Sequence, residues 1–460
     1  MTSRSTEQVL PVVAIVGRPN VGKSTLFNRM TGQNQAIVED RPGVTIDRNY
    51  GIAPIGDREV WLVDTGGFEP KPQSSLFAKM KAQAELALEE ADVVIFLMDA
   101  KDGPMPDDHT VAKILRRSKK PVIYAVNKAE SEKLRDMSLP DFYALGLDEI
   151  LAVSAAHNHG IVTLEEEVEA LLPPVAADEG TGAEEESEEE HVCRVAVIGR
   201  PNAGKSTLVN QLLGEDRMVV DDTPGTTRDS VDVPINFDGT PFVIVDTAGI
   251  RRKSKVNDFL ERMAVMRALR SVDKSHVVIL MLDAQEGPAD QEAKIASYAL
   301  SRGKAIVIAV NKWDIIPGSI DSESKALKNI EHQFPFLSFA PVVFISAKTG
   351  RRVKKLMVAA HRVYRQGGRK LGANPLNKWL SSLTLKHQPP MIHNKRTKFY
   401  YISQIASRPP AFAIQTNTKF QIPPSYERFL INNLRKEYGF EGTPLRIYFR
   451  HKKHGDKSED

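Results

Sequence analysis

Short apolar runs bounded by glycine, proline and polar residues recur along most of the chain. The first, VVAIV at 12–16, is β-branched and leads straight into a glycine-rich loop, as a buried strand does before a turn. From Ser24 the spacing becomes helical: Leu26, Phe27 and Met30 fall on one face, and Gly32 is the expected stop. Strand-length runs follow at 60–63, 93–98, 122–126 and 150–153, with helical stretches such as 78–90 and 109–118 between them. The same order returns at 195–198, 242–245, 277–282, 306–310 and 342–345. Strands alternating with helices predict an α/β domain, a mainly parallel sheet covered by helices on both faces, here twice. After 366 the pattern changes to aromatic strands at 398–402 and 445–449 and amphipathic helices at 375–385 and 425–438. Ser425 suits the cap of the second helix and Gly439 its end, so this part reads as a small α+β module. The predicted organisation is 10–175 and 192–365 for the α/β domains, 176–191 for a linker, 366–450 for the module and 451–460 for a disordered tail.

Composition sharpens this only in places. The chain of 460 residues has room for about three domains. Its longest apolar runs fall far short of the ~20 residues a membrane helix needs, and its first residues carry no apolar signal region. A single cysteine, Cys193, excludes an internal disulfide framework and fits a reducing cytoplasm. The net charge of +3 conceals a segregation. Residues 177–191 hold eight acids and no Lys or Arg, whereas 362–460 hold 19 Lys and Arg against 6 Asp and Glu. An acidic spacer followed by a basic module points to an anionic partner for the latter.

The chemistry lies in a sentence written twice. GRPNVGKST at 17–25 returns as GRPNAGKST at 199–207, both fitting G-x-x-x-x-G-K-[ST], the phosphate-binding P-loop. The offset of 182 persists at Thr45/Thr227 and Asp64/Asp246, so a whole domain is duplicated. In the first copy the amides from Gly17 through Asn20 and Gly22 to Thr25 cradle phosphates. Lys23 reaches the β- and γ-phosphates, and Ser24 and Asp64 suit Mg²⁺. Thr45 suits a loop that closes on Mg²⁺ over the γ-phosphate, and the Gly66 amide meets that phosphate. The second copy places Gly199, Asn202, Gly204, Lys205, Ser206, Thr207, Thr227, Asp246 and Gly249 in the same roles. Lys23, Thr45, Lys205 and Thr227 are the candidate catalytic residues.

The base is chosen elsewhere. Asn311-Lys312-Trp313-Asp314 follows a strand, and an aspartate there can accept both N1–H and the 2-amino group of guanine. Ser346-Ala347-Lys348 then supplies a backbone donor to the guanine oxygen. The first copy has Asn127, Lys128 and, one methylene longer, Glu130, followed by Ser154-Ala155-Ala156. Weaker or less selective guanine binding is therefore expected at the first site.

With two such cassettes and a basic module, the chain resembles the Der (EngA) tandem GTPases of bacteria. The resemblance spans about residues 10–450. It rests on the doubled P-loop, on PGVT at 42–45 and PGTTRD at 224–229, and on DTAGIRRK at 246–253. SYERFL at 425–430 and GFEGTP at 439–444 extend it into the module. It implies two P-loop GTPase domains and a KH-like C-terminal domain, in a cytoplasmic GTP-hydrolysing switch monomeric off the ribosome. The implied partner is the large (50S) ribosomal subunit or its precursor, bound through rRNA. Rival readings are a GTP-dependent RNA-modification factor, a membrane-linked GTPase, and a nucleotide-gated RNA-binding scaffold whose first site does not hydrolyse.

Many GTPases orient the attacking water with a glutamine at the Asp-x-x-Gly turn, but here Gly67 closes the first turn and Ile250 follows the second. In similar GTPases an asparagine placed like Asn20 and Asn202 helps bind an activating K⁺, so K⁺ joins GTP, GDP and Mg²⁺ as an expected cofactor. Arg251, Arg252, Lys253 and Lys255 follow the second turn, as an RNA contact or a solvated loop. In the module Lys395, Arg396, Lys398, Arg408, Arg435, Lys436, Arg446 and Arg450 interleave with Phe399, Tyr400, Tyr401, Tyr448 and Phe449. That mixture fits RNA, although alternation along strands favours the aromatics as core. Gly439-Phe440-Glu441-Gly442 matches the KH loop pattern but follows a helix and precedes a strand, so it reads as a stop and turn.

Overall fold

The computed structural model describes residues 9–38, 49–67, 81, 84–85, 87–147, 149–174, 192–215, 232–247, 258–316 and 320–451. Thr45, Thr227, Gly249, Ile250, the basic run 251–255, the acidic linker, part of the helix expected at 78–90 and the tail beyond 451 lie outside those residues. The chain divides into two compact units, one built on the first repeat and one on the second repeat together with the C-terminal module.

In the first repeat β1 (Val12–Val16) enters the P-loop and α1 (Lys23–Val38) leaves it. There follow β2 (Tyr50–Ile55), β3 (Arg58–Asp64), β4 (Val93–Asp99), α2 (Pro106–Arg116), β5 (Val122–Asn127), α3 (Glu132–Tyr143), β6 (Leu151–Ala152) and α4 (Ile161–Leu171). The sheet order is β2-β3-β1-β4-β5-β6, parallel except for the antiparallel β2–β3 pair. β1 and β4 are buried along their whole length, which is why they read as unbroken apolar runs rather than alternating ones.

The second repeat has β7 (Cys193–Ile198), α5 (Lys205–Glu215), β8 (Val233–Phe237), β9 (Thr240–Ile244), α6 (Asp258–Lys274), β10 (Val277–Asp283), α7 (Asp290–Ser301), β11 (Ala305–Asn311), α8 (Ile320–Gln333), β12 (Val342–Phe344) and α9 (Val353–Gly367). Its sheet repeats the order, β8-β9-β7-β10-β11-β12. Cys193 is buried on β7, and burial pushes its thiol well above the ordinary value, so it is an inert core residue.

The C-terminal module has α10 (Ala373–Lys386), a small hairpin of β13 (Met391–Ile392) and β14 (Lys395–Arg396), then β15 (Phe399–Ser407), β16 (Pro410–Thr416), α11 (Pro424–Tyr438) and β17 (Arg446–His451). β16 is the central strand, antiparallel to β15 and parallel to β17. One face of this sheet packs Ile402, Phe412, Ile414 and Ile447 against Leu376, Leu380, Leu430 and Leu434 of the two helices.

Four expectations change. α1 runs through Gly32, since one glycine costs a helix only about 1 kcal/mol and does not by itself end it. Ser425 is not a cap: α11 begins at Pro424, whose fixed φ starts the helix one residue earlier. The aromatics of the module do not all enter the core. Phe399 and Phe449 stack at 5.7 Å against the core cluster, whereas Tyr400, Tyr401 and Tyr448 are exposed. Finally, Arg435 and Arg446 face the second repeat, and Arg408, although exposed, lies over a ring of that repeat.

That contact is a seam of backbone and cationic bonds within one unit. Gly439 (φ 87) and Phe440 (φ 63) end α11 and turn the chain under α9. The Ile306 amide donates to Gly442 O at 2.7 Å, and the Gly442 amide to Phe339 O at 2.9 Å. Arg446 donates to Ser301 O at 2.6 Å, Arg435 lies 4.2 Å over the Phe339 ring, and Arg408 lies 4.4 Å over Tyr364. The motif read as a mere turn is thus the plug that joins module and second repeat.

Candidate nucleotide sites

Both P-loops connect a buried strand to a helix N-terminus, the geometry that leaves amides free to meet an anion. Lys23 Nζ donates to the carbonyls of Gly17 (2.8 Å) and Arg18 (2.5 Å), and Lys205 Nζ to those of Gly199 (2.7 Å) and Arg200 (2.8 Å). Each ammonium is thus held across its own loop. Burial lowers the Lys23 pKa to about 8, against the pull of Asp64 and with the push of Arg18. Burial does the same to Lys205, also to about 8, against the pull of Glu292.

Gly22 (φ 96) and Gly204 (φ 97) adopt the left-handed region, and a Cβ on either would collide with the side-chain amide of Asn127 or Asn311. Those asparagines tie three loops together. Asn127 Nδ2 donates to Val21 O at 2.8 Å while its Oδ1 accepts from Ala155 N at 3.0 Å. Asn311 does the same with Ala203 O (2.8 Å) and Ala347 N (2.8 Å). Asn20 (φ 67) and Asn202 (φ 65) also sit in the left-handed region with exposed side chains, a conformation asparagine tolerates better than most residues.

Ser24 and Asp64, both expected near Mg²⁺, meet directly: Ser24 Oγ donates to Asp64 Oδ2 at 2.5 Å. Asp64 Oδ1 accepts from the Gly66 amide at 2.7 Å. In the second copy Asp246 (φ 54) accepts from Ser271 Oγ on α6 at 3.2 Å.

The base pockets follow β5 and β11. Lys128 and Lys312 (φ 64 and 63) turn back to pair with the acids that end the preceding strands: Lys128 Nζ to Asp99 at 2.5 Å and Lys312 Nζ to Asp283 at 2.6 Å. A hydrogen bond from the Ser346 side chain, with the charges of Lys348 and Arg351, holds the Asp314 carboxyl below the usual carboxylate range. In the first copy Glu130 instead pairs with Lys101 at 3.0 Å, and Ser154 Oγ lies 3.0 Å from His157 Nδ1. Sequence reasoning missed Asp99 and Asp283, although both close an apolar strand at the same place in each repeat. It also missed the braces beneath the constant P-loop arginines, Arg18 on Asp108 (3.0 Å) and Arg200 on Glu292 (2.7 Å).

A lysine-bearing P-loop, an Asp-x-x-Gly sequence and an Asn-Lys pair after a strand mark the GTP-hydrolysing P-loop proteins, and in this sequence the whole set occurs twice. A family described as 50S ribosome-binding GTPase matches residues 12–128 and 194–312, and one described as the KH-domain-like C-terminal part of EngA bacterial GTPase enzymes matches 370–450. The GTPase Der of Syntrophotalea carbinolica is 46% identical over 96% of this chain and 99% of its own length. Those of Geobacter metallireducens and a Thermoanaerobacter species are each 45% identical, over 96% and 95% of this chain and 99% and 97% of their own. The chain belongs to the Der (EngA) family of tandem GTPases, and it binds and hydrolyses GTP. Among the described residues no helix is long and apolar enough to cross a membrane.

Proposed function

We propose that the chain is a GTP-driven switch in maturation of the large (50S) ribosomal subunit, acting in the cytoplasm as a monomer until it meets the ribosome. The observation that carries this reading is the seam: a strongly basic module is joined through Gly442, Arg435 and Arg446 to one of two nucleotide domains. A phosphate-rich partner bound by the module is then linked to the nucleotide held next door. The family descriptions, which name 50S ribosome binding and a KH-like domain, favour rRNA as that partner.

Lys23 and Lys205 would carry the charge that meets the β- and γ-phosphates, with Gly17, Asn20, Gly22, Thr25 and Gly66, and Gly199, Asn202, Gly204, Thr207 and Gly249, lining the two cradles. Asn127, Lys128, Glu130 and Ser154 would form one base pocket, and Asn311, Lys312, Asp314, Ser346, Ala347 and Lys348 the other. Ser24, Thr45 and Asp64 in one site and Ser206, Thr227 and Asp246 in the other offer the hard oxygen donors that suit Mg²⁺, and the close approach of Ser24 to Asp64 fits such a role. Bound Mg²⁺ would supply charge neutralisation at the phosphates. K⁺ beside Asn20 and Asn202 is the activator we assign in place of a glutamine. Faster turnover in KCl than in NaCl is expected, and equal turnover would remove K⁺ from the reading.

The deciding experiment is co-sedimentation with purified 50S subunits in the presence of GDP, GTP or a non-hydrolysable analogue. Binding that depends on the nucleotide is expected. Binding in no state, with hydrolysis intact, would leave a GTPase with another partner.

A further inference from the structure

The two base pockets share a backbone and differ in what holds the acid. In the second, the Ser346 side chain bonds the Asp314 carboxylate. In the first, the matching serine, Ser154, is engaged with His157, and Glu130 turns to Lys101. Lys101 is rooted at the pocket. Its own amide donates to Asp99 Oδ1 at 2.9 Å, and Asp99 Oδ2 holds Lys128 Nζ at 2.5 Å. The second copy keeps this rooting exactly where the charge is absent: Gln285 N donates to Asp283 Oδ1 at 2.9 Å. A lengthened acid, a cation two residues after the strand and a serine turned elsewhere therefore occur together, and only in the first copy.

We propose that Lys101 is the base-positioning residue of the first site, clamping Glu130 as Ser346 clamps Asp314. This rests on reading the first site as a guanine-nucleotide site. Glutamate has one more rotatable bond than aspartate, and accepting N1–H and the 2-amino group together requires both carboxylate oxygens in one fixed plane. An ammonium on one lone pair of Oε1 fixes that plane and leaves acceptor capacity on both oxygens. The same hydrogen bond from Lys101 also holds the Glu130 carboxyl below its usual range, so it remains an acceptor. The pair is half exposed, with Lys101 at 53% and Glu130 at 40%, so its effect is severalfold rather than absolute.

The test uses the full chain carrying Asp314→Ala, which removes the base acceptor of the second site, and measures affinity for GDP and for inosine diphosphate, which lacks the 2-amino group. Lys101→Gln, the second copy's residue, is expected to weaken GDP about three- to fivefold and inosine diphosphate less, lowering the ratio between them. Lys101→Arg should restore the ratio, and Lys101→Gln should change nothing further in a Glu130→Gln background. An unchanged ratio, or tighter GDP binding in Lys101→Gln, would overturn the clamp. Failure of the Asp314→Ala parent to bind GDP at all would overturn the reading of the first site itself.

Discussion

The two nucleotide domains are nearly the same where phosphate dictates and different where each meets its own surroundings. Sheet order, P-loop and the asparagine tie recur bond for bond. The residue just before the central strand does not. In the first copy Asp92 Oδ2 accepts from Val12 N at 2.7 Å; in the second His276 Nδ1 accepts from Arg194 N at 3.2 Å. The job is the same, an acceptor at the root of the sheet, but His276 lies against Arg408 and Lys304 at the seam. Five residues earlier, Ala87 in the first copy becomes Ser271 in the second, whose hydroxyl reaches Asp246. Repetition thus marks what the phosphates require, and these two differences fall in the copy joined to the module.

The largest expected effect tests the repeated part. Lys23→Ala and Lys205→Ala should each lower turnover at their own site about 100-fold or more, as loss of one buried charge at a phosphoryl centre does. Single-turnover hydrolysis on each variant separates the sites. Total turnover untouched by Lys23→Ala would mean that the first copy binds without hydrolysing, and the likeness would end at geometry.

The next tests the divergent root. Burial, reinforced by Lys304, Arg408 and Arg194, lowers the His276 pKa from 6.5 to about 4. Between those values the unfolded chain binds a proton that the folded chain refuses, so stability is full above pH 6.5 and is lost as pH falls toward 4. The loss attributable to this group is at most about 3 kcal/mol. His276→Asn keeps an acceptor for Arg194 N without a titrating ring, and should flatten the acid limb of thermal stability for the second unit. An unchanged limb would show that the imidazole protonates freely at the seam.

Gly442→Val tests the seam directly. At φ 69, with a Cβ placed inside contact distance of Val363 and 3.0 Å from Ile306 O, it should destabilise the second unit by about 2 kcal/mol. Gly239→Ala is the control, because Gly239 also has positive φ (78) but nothing within 4 Å of its Cβ, so only backbone strain remains, about 1 kcal/mol. Equal losses in a calorimetric scan would mean the plug contributes no packing.

Much of this was legible in the residues because buried parallel strands write themselves as apolar runs and the P-loop writes itself in glycines. The edge strands β2 and β8 were not, since half their side chains face out and Pro54 and Pro234 interrupt them. β16 was missed because its small residues, Ala411 and Ala413, carry little strand signal although both are buried. In the candidate site, motif spacing singled out the lysines, Ser24, Asp64, Glu130 and Asp314. It did not locate Lys101, His157 or the strand-ending Asp99, because their roles depend on which neighbour each side chain turns toward. Arg435 and Arg446 looked like RNA contacts for the same reason: charge is visible in sequence, but its partner is not.

The smallest effect bears on the base edge. If the serine clamp and the lysine clamp are two solutions to one geometric problem, converting one into the other should conserve function only when every part moves together. Glu130→Asp alone withdraws the carboxylate from Lys101 while His157 still occupies Ser154, so site-one discrimination between GDP and inosine diphosphate should fall about two- to fourfold. Adding His157→Thr, the residue found at Thr349 in the second copy, frees the Ser154 hydroxyl for the shortened acid, and discrimination should recover to the level of the second site. Measured in the Asp314→Ala chain, a full recovery by Glu130→Asp without the second change would mean that the aspartate needs no clamp, and that the extra methylene alone sets the two pockets apart.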